Sequence, residues 1–362
     1  MSKWKTTELG NVITLKRGYD LPQQKRNAGL IPIFSSSGVS GCHNTAMVKA
    51  PGVVTGRYGT IGQVFYAEKD FWPLNTTLYV ESFHGNDPRF IYYFLKTLAW
   101  EKFTSASAVP GINRNTVHKE IVRIPDVETQ KKIAKCLLII DEKIKNNEQI
   151  NDNLQQQAMA LFDRYYEQAS DTVPFTSVIQ ILGGGTPKTG NPLFWNGDIP
   201  FFTPKDVGAP YTLTTEKTIT EEGLDHCNSR LYPVNTVFVT ARGTVGKVGM
   251  PGVPMAMNQS CYALVGKEID QLMVYFYTLH TVQALKHKAS GAVFDAITTR
   301  DFDTETIQLI EDDTATEFLS IARPMFGQIL SNSIENQRLA ALRDALLPRF
   351  MSGEIDVSDI NI

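Results

Sequence analysis

The sequence predicts an α+β protein built twice over, with two tandem α+β modules joined by two long helices that pair antiparallel about a pseudo-two-fold axis. Three observations carry this. Val53-Val54-Thr55-Gly56-Arg57-Tyr58-Gly59-Thr60-Ile61-Gly62 recurs as Phe238-Val239-Thr240-Ala241-Arg242-Gly243-Thr244-Val245-Gly246, with Asn75-x-x-x-Tyr79 echoed by Asn258-x-x-x-Tyr262. Each half closes on a long polar stretch ending Ala160-Leu161-Phe162-Asp163-Arg164-Tyr165 or Ala345-Leu346-Leu347-Pro348-Arg349-Phe350. Those stretches share one apolar seam about 185 positions apart. A period that long is domain duplication, because solenoid repeats run about 20 to 50 residues.

The modules come first in the argument. Short Val/Ile/Phe/Tyr runs broken by Gly, Pro and Asn, such as Ile31-Pro32-Ile33-Phe34, Gly52-Val53-Val54-Thr55 and Val237-Phe238-Val239-Thr240, read as strands joined by tight turns. Helices are expected at about 88–104 and 270–290, after the strands of each module. The expected partition is a first module over 1–126, a central helix over 127–169, a second module over 170–311, a C-terminal helix over 312–355 and a tail over 356–362.

The helices follow from periodicity. Ile133, Leu137, Ile140, Ile144, Asn147, Asn151, Leu154, Ala158, Leu161 and Tyr165 alternate steps of four and three, a heptad seam on a helix of roughly 60 Å at 1.5 Å per residue. The second helix repeats the seam through Phe318, Ala322, Met325, Ile329, Asn332, Asn336, Leu339, Leu346 and Phe350, lapsing at Arg343, with a kink expected at Pro324. An Asn in an apolar seam fixes register, since an Asn facing Leu is buried without a partner. If the helices run antiparallel with residue numbers summing to 483, Asn147 faces Asn336 and Asn151 faces Asn332. The competing account puts both Asn pairs at the helix surface or against a partner protein. Apolar positions off the seam, Leu138, Ile139, Ile321 and Leu342, suit a partner surface or packing on the modules.

Composition sets bounds. The chain has 362 residues, 42% hydrophobic and 20% charged, and no apolar run approaches the roughly 20 residues of a membrane span, so a cytoplasmic protein is expected. The four cysteines and six histidines show no metal spacing, which leaves a zinc site or disulfide framework unsupported. The net charge of −3 divides unevenly: residues 1–126 carry 15 Lys and Arg against 9 Asp and Glu, a net of +6, and residues 170–311 carry 10 against 14, a net of −4. An acidic whole can still bind DNA through a locally basic face.

Two stretches look like catalytic loops and are set aside. Gly183-Gly184-Gly185-Thr186-Pro187-Lys188 approximates a phosphate-binding loop, but Pro187 has no N–H to donate. Asn191-Pro192-Leu193-Phe194 approximates an amino-methyltransferase motif, but lacks its second proline and any glycine-rich cofactor loop.

Three stretches carry a family resemblance over essentially the whole chain: Gly183-Gly184-Gly185-Thr186-Pro187-Lys188 through Phe194-Trp195-Asn196-Gly197-Asp198-Ile199-Pro200; Arg17-Gly18-Tyr19-Asp20-Leu21-Pro22 through Ile31–Val39; and the Gly-Thr-Ile/Val-Gly turn in both halves. The chain resembles the specificity subunit of a Type I restriction-modification system. That resemblance implies two target recognition domains, each reading one half of a bipartite, asymmetric site in double-stranded DNA, with the helices setting the spacer. It also implies docking of two modification subunits, which carry S-adenosylmethionine and adenine N6 chemistry, and of two restriction subunits, which use ATP and Mg. This chain would bind no cofactor or metal and catalyse nothing. The alternatives are a stand-alone DNA-binding regulator and a self-sufficient methyltransferase or nuclease.

Candidate DNA contacts are the polar residues at turns. Arg57, Tyr58, Thr60, Arg242, Thr244 and Lys247 lie at the Gly-Thr-x-Gly turns, where glycine permits close approach and a cation can reach phosphate or a guanine edge. Ser35, Ser36 and Ser37 align with Thr203, Pro204, Lys205 and Asp206 after a strand ending in Phe, and Ser36 and Ser37 are the candidates there. Asn75, Asn258 and Gln259 have amides suited to adenine, although an Asn shared by both copies also suits a turn cap. Arg114 and Arg300 precede the last strand of each module and can clamp phosphate. For each of these, solvated turns and surface charges are the competing account.

Overall fold

The computed structural model describes residues 4–104, 110–208, 210–288, 296–358 and 360. Two structural units emerge, each a module with its own stretch of both long helices: residues 1–144 with 338–362, and residues 145–337.

In the first unit the strands are β1 (Trp4–Glu8), β2 (Thr14–Arg17), β3 (Ile31–Ser35), β4 (Gly38–His43), β5 (Gly52–Gly56), β6 (Val64–Ala67), β7 (Trp72–Pro73), β8 (Thr77–Ser82) and, after α1 (Pro88–Lys96) and α2 (Arg114–His118), β9 (Ile121–Pro125). They form a four-stranded sheet in the order β2-β8-β5-β6, a three-stranded sheet β4-β3-β7 and a ribbon β1-β9. The helix expected at 88–104 stops at Lys96, because Trp100 folds back and its indole N–H donates to the Leu95 carbonyl at 2.8 Å, leaving a single 3-10 turn at Trp100–Phe103.

After α3 (Val127–Gln168), the second unit repeats the plan with β10 (Asp171–Pro174), α4 (Phe175–Val178), β11 (Ile179–Gly183), β12 (Trp195–Phe202), β13 (Tyr211–Thr212), β14 (Lys217–Ile219), α5 (Glu221–Asp225), β15 (Val237–Thr240), β16 (Val248–Pro251), β17 (Ala256–Met257), β18 (Cys261–Gly266), α6 (Gln271–Lys288), α7 (Thr299–Asp303) and β19 (Thr306–Leu309). Its sheets run β11-β18-β15-β16-β13, β14-β12-β17 and β10-β19. The helix expected to reach 290 is described to Lys288, its last two positions lying outside the described residues. α8 (Asp312–Ser352) continues unbroken through Pro324 and Pro348.

Each unit folds around one main apolar core. In the first, Leu15, Val53 and Leu78 of the sheet meet Phe90 and Ile91 of α1 together with Ile133, Leu137 and Phe350 of the long helices. In the second, Val237, Val239 and Leu264 meet Phe276 of α6, and Phe162 and Phe318 of the long helices join them, their rings 5.6 Å apart. Burying several such side chains, each stabilising by about 1.5–3 kcal/mol, anchors the helices to their modules.

The seam contains the expected Asn layers. Asn147 donates to the Asn336 amide oxygen at 2.8 Å and Asn332 donates to that of Asn151 at 2.8 Å, with Asn147 and Asn332 both buried. Tyr165 meets Phe318 in the same register, their ring centroids 6.4 Å apart. The lapse at Arg343 has a physical cause that sequence did not suggest. Its guanidinium donates to Asp141 at 2.9 Å and also pairs with Asp344, while the other Asp141 oxygen accepts from the Tyr93 hydroxyl at 2.5 Å. Burial works against the Arg343 charge, but the two carboxylates raise its pKa. Burial first, and then Asp141, likewise raise that of Tyr93.

Candidate nucleic-acid interface

Strand register fixes which positions of the two modules correspond. Thr55 pairs with Leu78 where Val239 pairs with Tyr262, and Arg17 pairs with Leu78 where Gly183 pairs with Tyr262. The N–H groups of Arg57 and Tyr58 both reach the Thr76 carbonyl, as those of Ala241 and Arg242 both reach that of Ser260. Tyr58 therefore corresponds to Arg242, and Arg57 to Ala241. This corrects the pairing of Arg57 with Arg242 and of Asn75 with Asn258 drawn from sequence. Leu74 corresponds to Asn258, since both N–H groups donate to the Phe ending the neighbouring strand (Phe34 or Phe202), and Asn75 corresponds to Gln259. The misreading arose because Arg and Asn recur one position out of step in turns whose glycines align.

With the register set, the turns superpose in role. Gly59, Gly62, Gly243 and Gly246 all have positive φ, between 71° and 85°, the left-handed region glycine adopts freely. Gly18 and Gly184 are required for a different reason: a Cβ at either would strike the backbone carbonyls of Pro73 and Leu74 or of Met257 and Asn258. Beyond these glycines, Asn75 donates to Asp20 and Thr186 donates to Gln259 at equivalent places.

In the first unit these elements enclose a hollow of about 470 Å³ lined by Arg17, Arg57, Tyr58, Leu78, Gly111, Ile112, Asn113, Arg114 and Asn115. The Tyr58 ring occupies the space a side chain at Gly111 would need, and the Arg57 guanidinium lies over that ring, 4.5 Å from its centroid. Ser36 flanks the Gly59 turn; Ser37 is exposed, its hydroxyl 3.1 Å from that of Ser35; and Thr60 presents its carbonyl toward Gly56. Arg57, Tyr58 and Arg114 thus come together in one hollow. Arg17, Asn113 and Asn115 join them and were missed; the usable signal was a cation directly before the glycine that follows β2.

In the second unit an open hollow of about 500 Å³ is lined by Thr203, Pro204, Lys205, Glu216, Lys217, Arg242, Gly243, Thr244, Asn258 and Ser260. Glu216 and Lys217 were missed. Asp206 is committed to its own loop, accepting from the Thr203 N–H and hydroxyl at 2.8 and 2.6 Å and from the Glu216 N–H at 2.8 Å. Thr244 donates to the Pro204 carbonyl at 3.0 Å, and the Asn258 side chain accepts from the Ser260 N–H at 3.0 Å. Lys247 and Arg300 are exposed and lie outside this lining. The phosphate-loop lookalike is tied down: the Gly185 N–H donates to the Met257 carbonyl at 3.1 Å, and Asn191 caps the 3-10 turn at Pro192–Phe194.

The arrangement can bind and orient a polyanion through fixed cations and amides. Among the described residues no helix is long and apolar enough to cross a membrane. All four cysteines are free, and burial pushes the Cys261 thiol up to about 12, which makes it a packing group.

Comparison with known proteins gives this architecture its class. The family model of the Type I restriction modification DNA specificity domain matches the chain twice, over residues 1–156 and 169–321. The chain belongs to that family, which carries DNA sequence recognition in Type I restriction-modification. It is 26% identical over 359 residues to the Type I restriction enzyme HindI specificity subunit of Haemophilus influenzae, a match covering 74% of this chain and 77% of that one. A shorter match, 35% identical over 100 residues (26% of this chain, 24% of the relative), is to the EcoR124I/EcoR124II specificity subunit of Escherichia coli. In fold it is similar to the crystal structure of the Type-I restriction-modification system S subunit from M. genitalium, with a TM-score of 0.64 at 14% identity, covering 97% of this chain and 96% of that one.

Proposed function

We propose that each module reads one half of a bipartite, asymmetric DNA site, and that the paired helices set the spacing between the halves and dock two modification subunits. The observation that carries this is the repeated turn: one scaffold, built twice, sets equivalent Gly-Thr-x-Gly turns beside a hollow in each unit, with Arg57 and Tyr58 in one where Ala241 and Arg242 stand in the other. A shared scaffold with different readout groups is what two unlike half-sites require. S-adenosylmethionine and adenine N6 chemistry belong to the modification subunits, and ATP and Mg to two restriction subunits. This chain supplies recognition in the cytoplasm and no chemistry of its own.

Selection of bound duplexes from a random pool by the complex with its modification subunits tests the reading. Two short conserved blocks separated by a fixed unread gap are expected. One continuous block, or binding by the isolated chain as tight as by the complex, would favour a stand-alone regulator.

A further inference from the structure

The register equivalence shows that the basic residues of the two modules do not sit at the same places. Arg17, Arg57 and Arg114 of the first hollow correspond to Gly183, Ala241 and, counting from the matched Ile112 and Ile297 whose N–H groups donate to the Arg57 and Ala241 carbonyls, Thr299. The second module thus has no cation at these three places; at the places of Tyr58 and Asn115, which also line the first hollow, it has Arg242 and Arg300.

Among the described residues no carboxylate lines the first hollow. Asp20 stands 3.8 Å from Arg17 across an exposed gap, the side chains 53% and 70% accessible for Arg17 and Asp20, too open a pair to neutralise it. Three arginines lining one hollow give it a positive potential that favours an anion there. A guanine edge takes a single bidentate guanidinium, whereas three cations lining one hollow match the phosphate oxygens of a backbone. The second hollow is built at other places of the module, with only Arg242, among the described residues, at a place that lines the first, and its Lys205, Lys217 and Arg242 share the lining with Glu216. The surrounding charge follows the same division, +6 over residues 1–126 against −4 over residues 170–311.

We propose that Arg17, Arg57 and Arg114 form a phosphate clamp found only in the first module, and that this module supplies the larger share of the salt-dependent DNA affinity. The inference rests on the DNA-reading function proposed above and assigns Arg17 a role in it.

The test uses the complex with its modification subunits, a duplex carrying its selected site and a scrambled duplex of equal length. Each phosphate contact contributes about 0.9 to the slope of log Kobs against log salt. Arg17→Ala is expected to weaken binding to both duplexes and to lower that slope by about 0.9, leaving the selected sequence unchanged. Gly183→Arg installs the missing cation in the second module. A Cβ at Gly183 meets nothing within 4 Å, and its backbone is not in the left-handed region, so a side chain can start there without a backbone clash. It is expected to raise the slope by about 0.9, a gain that misfolding cannot mimic. A slope unmoved by either change, or a base preference relaxed at one position by Arg17→Ala, overturns the clamp. A parent complex that distinguishes the two duplexes while the variants fail these expectations sinks this inference alone; one that does not distinguish them sinks the DNA-reading function as well.

Discussion

Arg343 is the residue at which the helix seam departs from its apolar rule, and its partner Asp141 sets the cost of disturbing it. The pair is about one-quarter exposed, 22% and 26% for Arg343 and Asp141, between the weak surface pairs and the costly buried ones. Asp141→Ala is expected to lower unfolding stability by about 2 kcal/mol in urea titration, because Arg343 and the Tyr93 hydroxyl both lose an acceptor. Replacing Asp141 and Arg343 together by Leu is expected to return part of that loss, the Tyr93 hydroxyl still lacking its acceptor. His118 gives a pH-dependent counterpart. Its Nε2 accepts the Leu15 N–H at 2.9 Å, which requires the neutral ring, and its pKa is lowered by burial first and then by Arg114 and His84. A lowered folded-state value means the unfolded chain binds the proton more readily, so the contribution is present above about pH 6.5 and is lost as pH falls through the lowered value. The thermal midpoint of His118→Gln is therefore expected to change less than that of the parent between pH 7 and pH 5. Residue identity was the least legible level in the sequence. Arg57 was matched to Arg242 and Asn75 to Asn258 because chemically similar letters lie one position apart, and only the ladder pairing of β5, β8, β15 and β18 reveals the true partners. Arg17 was missed because nothing in a linear sequence brings the end of β2 beside the turn after β5.

At the scale of elements, the long helices were the most legible, since a four-three periodicity over 40 residues has few competing explanations. The structure gives Val127–Gln168 and Asp312–Ser352, against expected spans of 127–169 and 312–355. The first module helix was overextended because the segment after Lys96 remains apolar, and periodicity cannot register a tryptophan that turns back to cap its own helix. The Asn layers make a sharper prediction. Asn147→Leu alone is expected to cost about 1–2 kcal/mol because the Asn336 amide oxygen and the Glu335 carboxylate both lose the Asn147 donor, and Asn147→Leu with Asn336→Leu is expected to recover part of that loss in urea titration. A double variant as unstable as the single would show that the layer is not a mutual pair. Turn glycines were also legible, because positive φ at Gly59, Gly62, Gly243 and Gly246 imposes the same letter in both copies.

For the whole molecule, duplication is the organising fact. Each unit combines a module with its own segments of α3 and α8, so a residue change in one hollow acts on one reading surface. The uneven charge of the modules gives the whole chain an asymmetry that its net charge of −3 conceals. The most direct measurement is to co-express the chain with its modification subunit and map N6-methyladenine across the host genome at single-base resolution, for the parent and for a chimera in which residues 170–311 come from another member of the family. One bipartite motif with a modified adenine in each half is expected, and the chimera is expected to alter the second block alone. A chimera that alters both blocks, or a stable parent complex that yields no motif, would contradict the reading of one half-site by each module.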